Sequence, residues 1–143
     1  MKAQPYATLI LLGMAMVASV AAHAENNDPR IAGPSPGSVY RGVDKDILYK
    51  EMLEIKDVKQ GIVTFTLKTE ADLSGIGEVC EGEITNGRGK LHGLQVLFNG
   101  ERGCQLRLHF YRKQDRVSIT DSNCNYYHGA NCDFGGKNLK RTK

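Results

Sequence analysis

All four cysteines of this chain fall between Cys80 and Cys132, and that stretch also carries its cleanest strand pattern. The spacing is C-x23-C-x19-C-x7-C. It contains no C-x2-C or H-x3-H pair of the kind that builds a zinc site. An even cysteine count with long gaps reads as two disulfides when the chain folds in an oxidising compartment. Spacing alone does not choose the connectivity. Strand parity does favour a pairing: Cys80 and Cys104 fall on inward faces of one antiparallel meander, and Cys124 and Cys132 flank a compact loop.

The amino terminus supplies the compartment. Lys2 is followed by an apolar run from about Ala7 to Val20, and Ala22-His23-Ala24 offers small residues at the two positions a signal peptidase reads. The apolar run is short of the roughly 20 residues that span a bilayer. Residues 1–24 therefore read as a secretory signal, with a periplasmic or secreted destination and no integral membrane segment after cleavage. Residues 25–43 carry Pro29, Gly33, Pro34, Pro36, Gly37 and Gly42 without apolar periodicity and read as a flexible leader. Residues 44–143 read as a single β-domain with a short basic tail.

Within that domain the hydrophobic period is two. Residues 44–52 fit either a short helix capped by Asp44 or a strand entry. Leu53 and Ile55 share a face with Asp57, opposite Glu54, Lys56 and Val58. Lys59-Gln60-Gly61 is a turn. Val63, Phe65 and Leu67 then alternate with Thr64, Thr66 and Lys68. Cys80, Gly82 and Ile84 share the inward face of a strand over 79–85. Asn86-Gly87 carries the strongest short hairpin signal, and a strand over 91–98 returns from it. Leu91 is out of step there with Leu94, Val96 and Phe98. Cys104, Leu106, Leu108 and Phe110 face inward on the most regular strand, with Gln105, Arg107, His109 and Tyr111 outward. A strand over 116–120 follows, and a last one over about 133–139. The pattern predicts an all-β fold, a small antiparallel β-barrel (or sandwich) of six to seven strands, stapled by disulfides.

Searches for chemistry return little. There is no G-x-S-x-G elbow and no phosphate loop followed by a helix. His92, His109 and His128 lie outside any recognisable metal motif. Glu81 and Glu83 sit roughly 7 Å apart on one strand, a spacing glycosidases use but also that of any solvated Glu-x-Glu face. Arg107, His109, Tyr111 and Arg112 make one basic-aromatic strip, whereas nucleic-acid barrels converge several. No catalytic residue, cofactor or metal is expected. What remains is binding at a loop edge. Asn125, Tyr126, Tyr127 and His128 lie between two cysteines, and tyrosines in a constrained loop give contact area at low entropic cost. The same residues could instead plug an open barrel end.

From Leu53 onward the chain resembles a loose group of small exported bacterial proteins. The residues that carry the resemblance are Leu53-Glu54-Ile55, Cys80-Glu81-Gly82-Glu83, Cys104-Gln105-Leu106-Arg107-Leu108-His109-Phe110, Cys124-Asn125-Tyr126-Tyr127 and Phe134-Gly135. Some members are described as lysozyme-inhibitor-like. The resemblance implies an inhibitor or immunity protein acting on a cell-wall-degrading enzyme such as a lysozyme, with a protein partner. Two departures stand out. His128 occupies the position where the group has its closing cysteine, and Cys132 comes four residues later. The Ser-Gly-x-x-Tyr motif of better-known inhibitor families is absent, although Pro36-Gly37-Ser38-Val39-Tyr40 is similar in flavour. The formal charge of +3 opposes steering toward a basic lysozyme, unless Glu70, Asp72, Glu78, Glu81 and Glu83 form a local acidic patch. The alternative is a periplasmic or secreted binding module of unknown ligand, for which an anionic envelope component is one option, through the basic tail of Lys137, Lys140, Arg141 and Lys143.

Overall fold

A computed structural model of the chain describes residues 33–44, 49–72, 79–111, 115–130, 132–136 and 138–143. Eight antiparallel strands follow one another around a closed barrel. They are β1 (Val39–Asp44), β2 (Tyr49–Lys59), β3 (Ile62–Asp72), β4 (Val79–His92), β5 (Gln95–Asn99), β6 (Gln105–Tyr111), β7 (Arg116–Ser122) and β8 (Leu139–Arg141). One short helix, α1 (Asn125–His128), lies between β7 and β8. Alternate residues of each strand point inward, as the pleat requires. Leu53, Ile55, Phe65, Leu67, Leu108 and Phe110 are among those that fill the barrel. Edge-to-face pairs set the aromatic packing, Phe65 on Phe98 and Tyr40 on Phe110, each at 5.6 Å between ring centroids.

The expected six to seven strands become eight because both ends of the domain are staves. Residues 25–43 were expected to be leader, yet Val39–Asp44 is β1, with Tyr40 buried in the core. The basic tail is not a loose end either. β8 pairs with β1 through Tyr40–Arg141 and Arg41–Lys140, and with β7 through Arg116–Lys140 and Val117–Leu139. The strand expected over 133–139 falls at Leu139–Arg141 instead, and Leu139 is fully buried. At the start of β2, Tyr49 to Met52 are strand; residues 45–48, the rest of the ambiguous entry, lie outside the described residues.

Two irregularities reset the expected phase. Between Ile55 and Asp57 the β2–β3 register shifts, leaving Lys56 as an extra residue. Val58 is thereby turned to the core side, where it packs against the buried cluster, rather than to the face of Glu54. The second correction concerns Asn86-Gly87. No hairpin forms there. β4 runs straight through, and the β3–β4 register shifts between Phe65–Gly87 and Leu67–Ile84. Asn86 has φ 54°, so the left-handed conformation expected of a turn serves a bulge. The hairpin comes later, where His92 pairs with Gln95 across Gly93 and Leu94. Gly93 supplies the positive φ, 60°, at the first central position of that two-residue turn. This also explains Leu91, which lies on β4 opposite Val96 and not on the strand of Leu94 to Phe98.

The straight β4 overturns the disulfide pairing as well. Leu97 pairs with Lys90 and Asn99 with Gln105. Cys104 thus falls level with the middle of β4, whereas Cys80 lies at its start, roughly 20 Å away along the strand. The bonds formed are Cys80–Cys132, with Cα atoms 5.8 Å apart, and Cys104–Cys124, with Cα atoms 4.4 Å apart. Peptide mapping without reduction should recover these two linked pairs. In the chain-entropy model, removing the Cys104–Cys124 bond by double substitution to Ser should cost about 3 kcal/mol, and removing Cys80–Cys132 about 4 kcal/mol, by denaturant unfolding.

Candidate functional site

The second disulfide ends on Cys124, immediately before α1, and so fixes where that helix starts. Gly129, with φ 76°, ends it after one turn. Within this turn the four expected binding residues divide. His128 is buried. Its Nδ1–H donates to the Gly129 carbonyl at 2.6 Å, and its Nε2 faces Asp121 Oδ2 at 2.7 Å. Its ring packs edge-on to Phe134 at 4.9 Å. The Phe134 backbone N–H donates to the same Asp121 oxygen at 3.3 Å. A side chain at Gly82 would place its Cβ 2.5 Å from His128 Cβ, so β4 carries glycine where α1 seats. His128 therefore does the anchoring at the position where a cysteine was expected.

Tyr127 is half-buried. Its ring meets Phe98 at 6.2 Å, and its hydroxyl accepts the Glu101 backbone N–H at 3.0 Å. Tyr126 and Asn125 are exposed. Tyr126, at 49% exposure, is the large apolar side chain that this end offers to solvent. Its ring rests edge-on to Tyr127 at 5.2 Å, and the Arg102 guanidinium lies 4.6 Å above its centroid. Tyr127 and His128 thus plug the barrel mouth, while Tyr126 and Asn125 face outward on the support they provide. Ser38 and Tyr40, from the segment resembling an inhibitor loop, are buried in the barrel wall and core.

Tyr127 also lines a groove of about 590 Å³ over β1 to β4, with Arg41, Lys50, Lys68, Glu70 and Glu81 among its other walls. The β3–β4 register sets Glu70 directly opposite Glu81, and Lys68 opposite Glu83. Like charges facing across a ladder are destabilising. Lys50 approaches Glu70 at 3.5 Å, and Lys68 meets Glu83 at 2.9 Å. The bonds from Lys68 and from the Thr85 hydroxyl hold the Glu83 carboxyl below its usual range. Of the expected acidic patch, Glu70, Glu81 and Glu83 are therefore brought together, with Asp72 at the end of the same β3 face. Glu78 lies outside the described residues. Glu81 and Glu83 belong to an exposed charge ladder on the outer face of β4.

Sequence reading passed over one further group. Glu51 is 2% exposed, inside the barrel. Parity with Leu53 and Ile55 is the signal that could have found it. Neither of its oxygens has a hydrogen-bond partner of acceptable geometry; nor do the Tyr49 and Thr69 hydroxyls beside it. Burial pushes the Glu51 carboxyl up to about 8, with the nearby Tyr49 hydroxyl opposing and the anionic Asp133 and Asp121 reinforcing. Burial likewise raises Tyr49, again reinforced by Glu51. A side chain at Gly136 would collide with this carboxylate. The 132–136 segment thus packs over the cluster, and Glu51 and Thr69 are also among the residues that line the 590 Å³ groove. Among the described residues no group of His, Cys, Asp and Glu could hold a metal ion.

No protein-family model matches this chain, and no curated protein or solved structure matches it.

The buried carboxyl gives a pH signature. Unfolded, Glu51 titrates near 4.3; folded, it holds its proton up to about 8. Across that window the folded state binds the extra proton, so the Glu51 contribution should fall as pH rises. Denaturant unfolding between pH 5 and 8.5 should show this decline, by at most about 1.4 kcal/mol per pH unit. Glu51→Gln should flatten the profile and leave the variant the more stable form at pH 8.5.

Proposed function

We propose that the protein is an exported binding protein that engages a basic protein partner. Its most concrete form is an inhibitor or immunity protein acting on a cell-wall-degrading enzyme such as a lysozyme. The observation that carries this reading is the directly opposed Glu70–Glu81 pair, with Glu83 on the same outer face, in a groove that continues to Tyr127. A like-charge pair costs stability in the free protein. A cationic partner would relieve it and would be steered to it despite the overall positive charge.

The α1 edge completes the surface. Tyr126 stands beside Arg102, and Tyr and Arg are the residue types that most often dominate interface energetics. Tyr127 and the Cys104–Cys124 bond hold Tyr126 in place before any partner arrives, which limits the ordering cost of association. Two disulfides and the signal-like residues 1–24 support export to the periplasm or beyond. Among the described residues no helix is long and apolar enough to cross a membrane.

Titration against a panel of basic muramidases should produce stoichiometric loss of lytic activity. Tyr126→Ala should weaken binding at least roughly tenfold with unfolding unchanged, as expected of a hot-spot residue. Glu70→Gln with Glu81→Gln should slow association at low salt while raising stability slightly. Undiminished lysis across chicken-type, goose-type and invertebrate-type enzymes would remove the lysozyme form of the proposal.

A further inference from the structure

The opposite side of the barrel carries the reverse pattern. On the outer face of β7, β8 and β1, Arg116 pairs across to Lys140, and Lys140 pairs across to Arg41. Three cations therefore occupy one rung on three successive strands. Neighbouring strands lie about 4.8 Å apart, so the three charges leave the backbone within roughly 10 Å of one another. Among the described residues none of the three has an acidic partner within ion-pair distance. Arg107 lies on the same outer surface, on β6. The other outward positions of β6 and β7 are Gln105, His109, Tyr111, Ser118, Thr120 and Ser122, and none is acidic. Opposed like charges are unfavourable in a ladder, and here two adjacent ladders impose them in series.

We propose that this face, centred on Arg41, Arg116 and Lys140, is a docking surface for an anionic lipid bilayer. Charge complementarity gives the polyanion, and two features choose the lipid. Single-stranded nucleic acid is gripped by aromatic platforms that stack bases. The aromatic side chain beside this rung, Tyr111, is instead engaged edge-on by His109 at 4.7 Å, and its hydroxyl is 3.2 Å from Ser118 Oγ. The export reading of residues 1–24 also places the folded protein beside membrane phosphates and away from cytoplasmic nucleic acid. Each basic residue at an anionic surface adds attraction that fades within a Debye length. Three on one rung give a weak, salt-sensitive attachment, with the Glu70–Glu81 pair of β3 and β4 across the barrel from β7 and β8. Arg41 also lines the proposed partner groove, whereas Arg116 and Lys140 do not, so the single variants R116Q and K140Q separate the two proposals.

Vesicle co-sedimentation tests it, using the protein purified as the cell processes it. Binding is expected to vesicles containing phosphatidylglycerol, with little to neutral phosphatidylcholine vesicles and a steep decline with salt. The triple variant R41Q/R116Q/K140Q should bind at least roughly tenfold more weakly. The variants R116Q and K140Q taken singly should each lose several-fold, which guards against misfolding of the triple. Thermal unfolding of the triple variant should match or exceed that of the parent. The variant K50Q/K56Q/K59Q removes the same net charge elsewhere and should keep its binding. Equal loss in that control, equal binding to neutral vesicles, no binding to anionic vesicles, or tighter binding to a single-stranded oligonucleotide would each overturn the proposal.

Discussion

Closure of the barrel by β8 is the constraint on which the rest of this structure depends. Three residues, Leu139–Arg141, join β7 to β1. Without them both neighbours would present a row of unpaired backbone groups, the kind of edge that recruits other chains. Further backbone bonds reinforce the seam: Val39 N–H to the Lys143 carbonyl at 3.0 Å, Thr142 N–H to the Val39 carbonyl at 2.8 Å, and Arg141 N–H to the Asp115 carbonyl at 2.8 Å. Leu139 fills the interior at the same place and packs where a Cβ at Gly42 would meet its Cγ at 3.2 Å. The seam joins the two ends of the domain, so it carries the largest loop-closure cost of any pairing in the barrel.

Closure also explains why one end of the interior is polar. Most of the barrel is filled by apolar side chains, but Glu51 and Thr69 are buried at the end that α1 and the 132–136 segment cover. A buried, unpartnered carboxyl opposes folding and keeps its proton well above the ordinary carboxylate range. Two constraints hold the cover over it. One is the Cys80–Cys132 bond; the other is Asp121, which receives both the His128 ring and the Phe134 N–H. The covalent staple and the destabilising carboxyl thus belong to the same end of the molecule.

Charge is distributed by register in the same way. A formal +3 describes neither face. One side sets Glu70 against Glu81, and the other sets Arg116, Lys140 and Arg41 in a single rung. The three cations are far apart in the chain. A shift of one residue in any of these ladders would scatter the rungs and turn the same side chains to the opposite face.

Local periodicity was enough to read the strand character of β3 and β6, the Gln60-Gly61 turn and an all-β antiparallel fold. Those features depend on neighbours a few residues apart. Three others could not be read that way. The bulges at Lys56 and Asn86 use residue types that also suit turns and strand interiors, and only the partner strand distinguishes the uses. β1 and β8 are short, and β8 carries a single buried apolar residue, so each is a strand only because its neighbour pairs with it. The disulfide pairing followed from how far β4 extends, which the apparent hairpin at Asn86-Gly87 concealed. At the candidate site, composition pointed to Asn125, Tyr126, Tyr127 and His128 together. The tertiary structure turned Tyr127 and His128 inward and left Tyr126 and Asn125 outside, because Phe98, Asp121 and Phe134 converge on α1 from other strands and loops. The sequence by itself determined an alternating, cysteine-stapled β-chain. Which residues that chain buries, pairs and exposes was decided by closure, since register between distant strands is a property of the whole barrel.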